Sequence, residues 1–481
     1  MNRTAGALLA ALVVLAPLGW FWWESLLPGT YSALDMGYVD YGGGPAGHHM
    51  SGMPGRSVDA IVEPTTRPPD VDVTLVARKE PFRLGSGKVI DGYTLNGASP
   101  GPVIHAVQGQ LVQVRLVNES VPGGVTLHWH GVDVPNADDG VAGVTQDAVP
   151  IGATFTYRFV AGQVGTFWYH SHQVGHEQVE RGLLGALVIT PRGGTAGVAD
   201  ALALVHLYDG QRTINGTPGD VAFPAAAGTR VRVRVIDTDN APMAVWVGGS
   251  PFRVVAVDGT DLNGPTSVQD TAVTVTAGGR ADLEITMPPD GSGVRVETGG
   301  AALVLGAAPG PRVSRPVRTL DLLSYGTPTP LAFDPATADR HFDYEIGRRP
   351  GLLDGLPGLW WTINGHLFPD VPMFVVAAGD VVAMRIANHS GEVHPMHQHG
   401  HHAVVLARNG VAATGSPWWV DSLNVEDGES YDIAFVADNP GVWMDHCHNL
   451  PHAQQGLVAH LMYEGVTTPY LVGGTSDNDP E

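Results

Sequence analysis

The stretch His446-Cys447-His448-Asn449-Leu450-Pro451-His452 decides how this chain of 481 residues is read. In an extended strand alternate side chains face opposite ways, so His446 and His448 share one face while the Cys447 sulfur points to the other. Cys447 is the only cysteine, so no intramolecular disulfide forms and its thiolate is free for other chemistry. On its own face it can meet His394 and His452, and Cys-His-His is the trigonal donor set of a blue copper site. The backbone of Cys447 then joins that site, through both flanking histidines, to whatever lies on the opposite face.

Three further His-x-His pairs occur, His128/His130, His170/His172 and His397/His399, making eight imidazoles in all. Neutral imidazole is a good copper ligand. Eight suit three coppers in one pocket, two holding three imidazoles each and one holding two, with positions open for dioxygen. One such pair is ordinarily two packed core histidines; four pairs in a repeated frame are not. The frame is a duplication: His128-Trp129-His130-Gly131 matches His397-Gln398-His399-Gly400, and Gly165, Phe167, His170 and His172 share offsets with Gly441, Trp443, His446 and His448. In that alignment His394 falls on Val125 and Cys447 on Ser171, so only the later block carries the thiolate set.

Outward from these motifs the chain alternates short apolar runs with turns. Strands are expected at 110–117, 126–132 and 154–160, at 230–236 and 280–287, and at 380–387, 403–407 and 431–436, with Gly 63 and Pro 37 supplying the turns. This texture predicts an all-β chain of antiparallel sandwiches in three blocks, 71–193, 194–312 and 313–468, followed by an acidic tail at 469–481. The middle block has neither motif, its only histidine is His206, and it reads as a spacer.

His128-Trp-His130-Gly, His170-Ser-His172, His394-Pro-Met-His397-Gln-His399 and His446-Cys447-His448-Asn-Leu-Pro-His452 resemble, in order, the four copper motifs of laccase-like three-domain multicopper oxidases. The resemblance implies three cupredoxin-like Greek-key β-sandwich domains and four coppers per chain. It assigns His128 and His397 to a type 2 copper, and His130, His170, His172, His399, His446 and His448 to a type 3 pair. His394, Cys447 and His452 fall to a type 1 copper, with Cys447 carrying the electrons. The family's axial position is Leu457, which lacks a donor atom, so a raised potential is expected. Asp139 stands where relatives carry a proton-relay acid. Many bacterial members place another acid directly after the last type 1 histidine; here that position is Ala453. Dioxygen and a small reducing substrate (a phenol, an aromatic amine or a metal ion) are the implied partners, and the implied state is a monomer.

Charge excludes another class of partner. With 26 Lys+Arg against 48 Asp+Glu, a formal −22, the surface repels phosphate backbones, so no nucleic-acid partner is expected. At the N-terminus residues 5–23 form an uncharged apolar run ending in Trp20, Phe21, Trp22 and Trp23. The segment 1–27 therefore reads as a membrane anchor or, if cleaved, a secretory signal, and either exports the remainder. Residues 28–70 read as a linker, within which His48, His49, Met50 and Met53 make a small soft-ligand cluster. His176 reads as a surface or supporting group, His401 and His402 as packing residues, Asp445 as an orienting group, and Trp418 and Trp419 as pocket lining or core.

Three other functions compete. A metallo-oxidase for Cu(I) or Fe(II) fits the same motifs, but no Met-rich insertion accompanies the third block. A copper nitrite reductase needs no type 3 pair. A copper-free structural relative would lack the ligands that are all present here.

Overall fold

The computed structural model describes residues 3–45 and 55–481. His48, His49, Met50 and Met53 lie outside the described residues. The elements that frame the site are, in chain order, α1 (Arg3–Glu24), β1 (His128–His130), β2 (Gly165–His170), α2 (Gly175–Gln178), β3 (Arg280–Thr286), β4 (Arg340–Leu353), β5 (Leu356–Ile363), β6 (Pro372–Val376), β7 (His394–Gln398), β8 (Ser422–Val425), β9 (Val442–Cys447), α3 (Leu450–Gln454) and β10 (Val458–Tyr463).

The chain is mostly β, and its sheets stack around separate apolar cores. Alternation builds them: in Leu111–Asn118, Val112, Val114 and Leu116 point inward while Arg115 is exposed. Each fully buried aliphatic side chain contributes about 1.5–3 kcal/mol relative to exposure. The first core lies between two four-stranded sheets, one of which has β1 at its edge beside β2. The second lies between a seven-stranded sheet containing β3 and a five-stranded sheet. The third lies between a seven-stranded sheet led by β5 and β4 and a six-stranded sheet in which β6, β10, β9, β7 and β8 are successive neighbours.

Expected strands recur with shifted ends. Strand 154–160 is matched by Thr154–Val160, whereas of 126–132 only β1 is regular strand. The stretch expected to be a linker differs more. Tyr38–Asp40 pairs with β6 as the outer strand of the third block's sheet, and Ala33, Met36, Val58 and Ile61 are buried in that block's core. Four apolar residues spaced among Gly and Pro suffice to dock it. The acidic tail is likewise bound, with Asn478 and Glu481 buried and the Asp479 N–H donating to Gln173 Oε1 at 2.8 Å.

The N-terminal segment is the helix α1, which carries Pro17 within it. Among the described residues no helix is long and apolar enough to cross a membrane. The end of α1 is tied to the tip of the β4–β5 hairpin, where the Asp354 N–H donates to Ser25 O at 2.9 Å and the Leu27 N–H to Asp354 Oδ1 at 3.2 Å.

Candidate metal centre

Strand pairing brings the histidines together. β1 and β2 are antiparallel with His128 opposite His170, and β7 and β9 are antiparallel with His397 opposite His446. Only His128 and His130 both lie within a strand. His172, His399 and His448 sit just past the ends of β2, β7 and β9, where the chain turns, so the rings converge through turn geometry as well as strand alternation. Gly131 and Gly400, which close the two His-x-His-Gly motifs, make those turns with φ of +82° and +66°. A side chain at Gly131 would begin 2.1 Å from the Arg280 guanidinium, and one at Gly400 2.6 Å from Trp443. Both positions require glycine.

All eight rings are buried. His128 Nε2 lies 3.3 Å from His397 Nε2, and His446 Nε2 lies 3.3 Å from His172 Nε2 and 3.2 Å from His399 Nε2. The His448 ring centroid is 5.0 Å from His130 and 5.5 Å from His170. Potential ligand atoms gather as His128/His130/His170, His128/His397/His399 and His172/His399/His446. Burial and mutual repulsion hold His130, His170, His172, His397, His399, His446 and His448 in the neutral, ligating form, with His448 pushed down to about 3 by burial.

A second layer fixes which nitrogen faces inward. Asp139 accepts from His128 Nδ1 at 3.1 Å and from His399 Nδ1 at 3.0 Å, leaving both Nε2 atoms for the cage. Burial raises the Asp139 pKa, although His128 opposes the shift. The relay acid expected from sequence therefore bridges two cage imidazoles. Asp421 Oδ1 lies 3.2 Å from His130 Nε2, and the Asp421 backbone carbonyl accepts from His397 Nδ1 at 2.8 Å. Trp168 lies against His130 and His170 and donates from Nε1 to Gly278 O at 2.9 Å.

On the opposite face of β9, Cys447 Sγ lies 3.5 Å from His394 Nδ1 and 3.7 Å from His452 Nδ1, and those nitrogens are 3.2 Å apart. Burial drives His394 down to about 3 and His452 to about 4, and pushes the Cys447 thiol up. A thiolate forms here only with a compensating cation. Leu457, fully buried, accepts the Cys447 N–H at 3.1 Å through its backbone and offers no side-chain donor. Trp361 packs against both imidazoles, and Arg348 lies over the Trp361 ring at 4.3 Å.

Other expectations resolve individually. His176 is partly exposed and pairs with Glu481. His401 bonds Tyr463 Oη at 2.7 Å, and His402 lies between Asp133 at 3.3 Å and Asp421 at 3.1 Å. Asp445 is buried, and burial lifts it to about 8. Trp418 packs on Tyr431 and Trp419 on Phe333, while Ala453 is buried within α3. His206 is satisfied by Thr238 and the Glu180 carbonyl.

The block expected to be a spacer contributes Arg280 from β3. Its guanidinium grips the Asp421 carboxylate at 2.5 and 2.6 Å and donates to Thr166 O at 3.0 Å, tying all three blocks at the cage. Neither Arg280 nor Asp421 belongs to a His-x-His motif, and Arg280 keeps phase with Asp282 and Glu284 on the polar positions of its strand, so no local signal set it apart.

The donor chemistry fits copper. Among the described residues His130 Nδ1, His170 Nε2 and both nitrogens of His448 are buried without a protein partner, and facing imidazole nitrogens repel unless a proton or cation lies between them. An imidazole cage backed by a thiolate–imidazole site on stacked β-sheets defines a copper-dependent oxidase. A family model described as multicopper oxidase matches residues 79–194, and a second so described matches residues 338–465, which between them carry every ligand above. Laccase-1 of Botryotinia fuckeliana is 27% identical over 454 residues, covering 79% of this chain and 80% of that protein. Multicopper oxidase MmcO of Mycobacterium tuberculosis is 26% identical over 467 residues, covering 81% and 87%. The crystal structure of a multi-copper oxidase from Pseudomonas thermotolerans superposes with a TM-score of 0.66 at 26% identity, covering 82% of this chain and 98% of that one. The chain belongs to the multicopper oxidase family, copper enzymes that use oxygen as electron acceptor.

Proposed function

We propose that this multicopper oxidase is laccase-like, taking single electrons from phenols or similar organic donors at a type 1 site and reducing dioxygen to water at a trinuclear site. One observation carries the reading: Cys447 faces His394 and His452 on one side of β9, while its neighbours His446 and His448 turn to the imidazole cage on the other. Bound copper would supply the one-electron chemistry, four electrons and four protons per dioxygen yielding two waters. The chain's own part is to hold and orient. His394, Cys447 and His452 would hold the type 1 copper, His128 and His397 the type 2, and the remaining six histidines the type 3 pair, four coppers in all. Asp139 would pass protons from between His128 and His399. Three cupredoxin-like domains at 71–193, 194–312 and 313–468 would carry these sites, in a monomer.

The covering of the Cys447 site favours an organic donor. The β4–β5 hairpin, with Trp361 against both imidazoles, carries no Met. The Glu392 carboxylate lies 3.6 Å from His452 Nε2 but is paired with Arg348 at 2.7 Å, which weakens its pull on a metal cation. The competing reading, oxidation of Cu(I) or Fe(II), shares every ligand. Oxygen uptake by copper-loaded protein with a panel of phenols and aromatic amines, beside Cu(I) and Fe(II), separates the two. Higher kcat/KM for the organic donors is expected, and the reverse order overturns the reading. Export, with α1 holding the enzyme at the outer face of a membrane, remains part of the proposal, and fractionation of cells producing the full chain tests it.

A further inference from the structure

β10 runs between β9 and β6, and its midpoint is His460. His460 is opposite Met444 across the antiparallel pair with β9, and opposite Met373 across the parallel pair with β6. Residues directly opposite on neighbouring strands share a face, with Cβ atoms roughly 4.5–5.5 Å apart in antiparallel pairs. One imidazole is therefore flanked by two thioethers. A third, Met36, lines the same cavity of about 440 Å³ as Met444 and His460. All four side chains are buried, and neither ring nitrogen of His460 has a protein partner among the described residues.

The cavity also fixes the sign of a ligand's charge. Asp354, Asp479 and Glu481 line it, and while Glu481 Oε2 pairs with His176, its Oε1 is buried without a partner among the described residues. A cation suits that wall. Thioether and imidazole donors together select a soft monovalent ion over a hard one.

We infer that His460, Met444, Met373 and Met36 form a binding site for one cuprous ion on the cage side of β9, separate from the His and Cys clusters. Burial keeps His460 neutral, its pKa pushed down to about 4, so its nitrogens are available as donors at ordinary pH. The inference goes beyond donor oxidation and holds whichever donor the Cys447 site takes.

Ag(I), a redox-silent stand-in for Cu(I), provides the probe. Copper-loaded protein is dialysed against limiting Ag(I) and the retained metal counted, with the blue absorbance monitored as a check that the fold and the Cys447 site persist. Wild type is expected to retain one Ag(I) more per chain than the Met373→Leu/Met444→Leu variant, whose affinity should fall roughly tenfold or more. His460→Gln should lose the ion as well, which keeps the test decisive if the double variant folds poorly. Silver-edge X-ray absorption should show sulfur and nitrogen neighbours. Equal retention by all three proteins, or an all-oxygen shell, overturns the inference.

Discussion

Cys447 and the histidines were legible in the sequence because their spacing is local: two residues apart within a pair, five from Cys447 to His452. The groups that orient them were not. Arg280 reaches Asp421 across 141 positions, and His460 meets Met373 only through sheet pairing. Asp139 is the residue whose role geometry sharpens most, since one carboxylate serves two imidazoles. Asp139→Asn keeps the shape but gives up the proton, so oxygen turnover should fall roughly 10²-fold or more while the blue absorbance stays. Unchanged kcat would remove Asp139 from the proton path. Leu457 supplies no axial donor, and a weak thioether there stabilises the oxidised copper. A redox titration should find a lower potential in Leu457→Met than in wild type; an equal or higher value contradicts the assigned axial position.

Elements were foreseen better in their cores than at their ends. Alternation in Thr154–Val160 or Leu111–Asn118 reads directly from sequence, whereas three of the four His-x-His pairs straddle a strand end, where the turn is set by Gly400 against Trp443 or by packing between blocks. The supposed linker docks because edge pairing with β6 is invisible to local patterning. At this scale β3 matters most to the site. Arg280→Met takes the guanidinium from the buried Asp421 carboxylate and leaves His402 as its remaining charged partner, a loss of at most about 3–5 kcal/mol. Urea unfolding of copper-loaded protein should show that loss, and an unchanged midpoint would mean the pair is dispensable. The short turn Asn136–Asp138 carries a pH signature. Burial raises Asp138 to about 7, while its carboxylate accepts the Arg158 N–H at 2.7 Å. A carboxyl with a raised folded pKa favours folding when protonated, an advantage present below about pH 4 and lost as pH rises through about 7. Asp138→Asn should flatten the dependence of Tm on pH across that window; an identical slope in both proteins would place the titration elsewhere.

Across the whole molecule, duplicated blocks meet with their histidine-bearing strands facing one another, and the middle block locks them through Arg280. Stacked β-sheets could be read from repeated texture, but the convergence of their histidine motifs on one cage is a property of assembly that no single segment encodes. The central claim is that one sulfur joins the donor-facing copper to that cage. Oxygen uptake driven by a phenolic donor, measured on copper-loaded Cys447→Ser beside wild type, tests it most directly. The account predicts an intense blue wild type that consumes oxygen and a colourless variant whose uptake falls to the rate of enzyme-free buffer. A colourless wild type, or a Cys447→Ser enzyme that consumes oxygen at the wild-type rate, would contradict it.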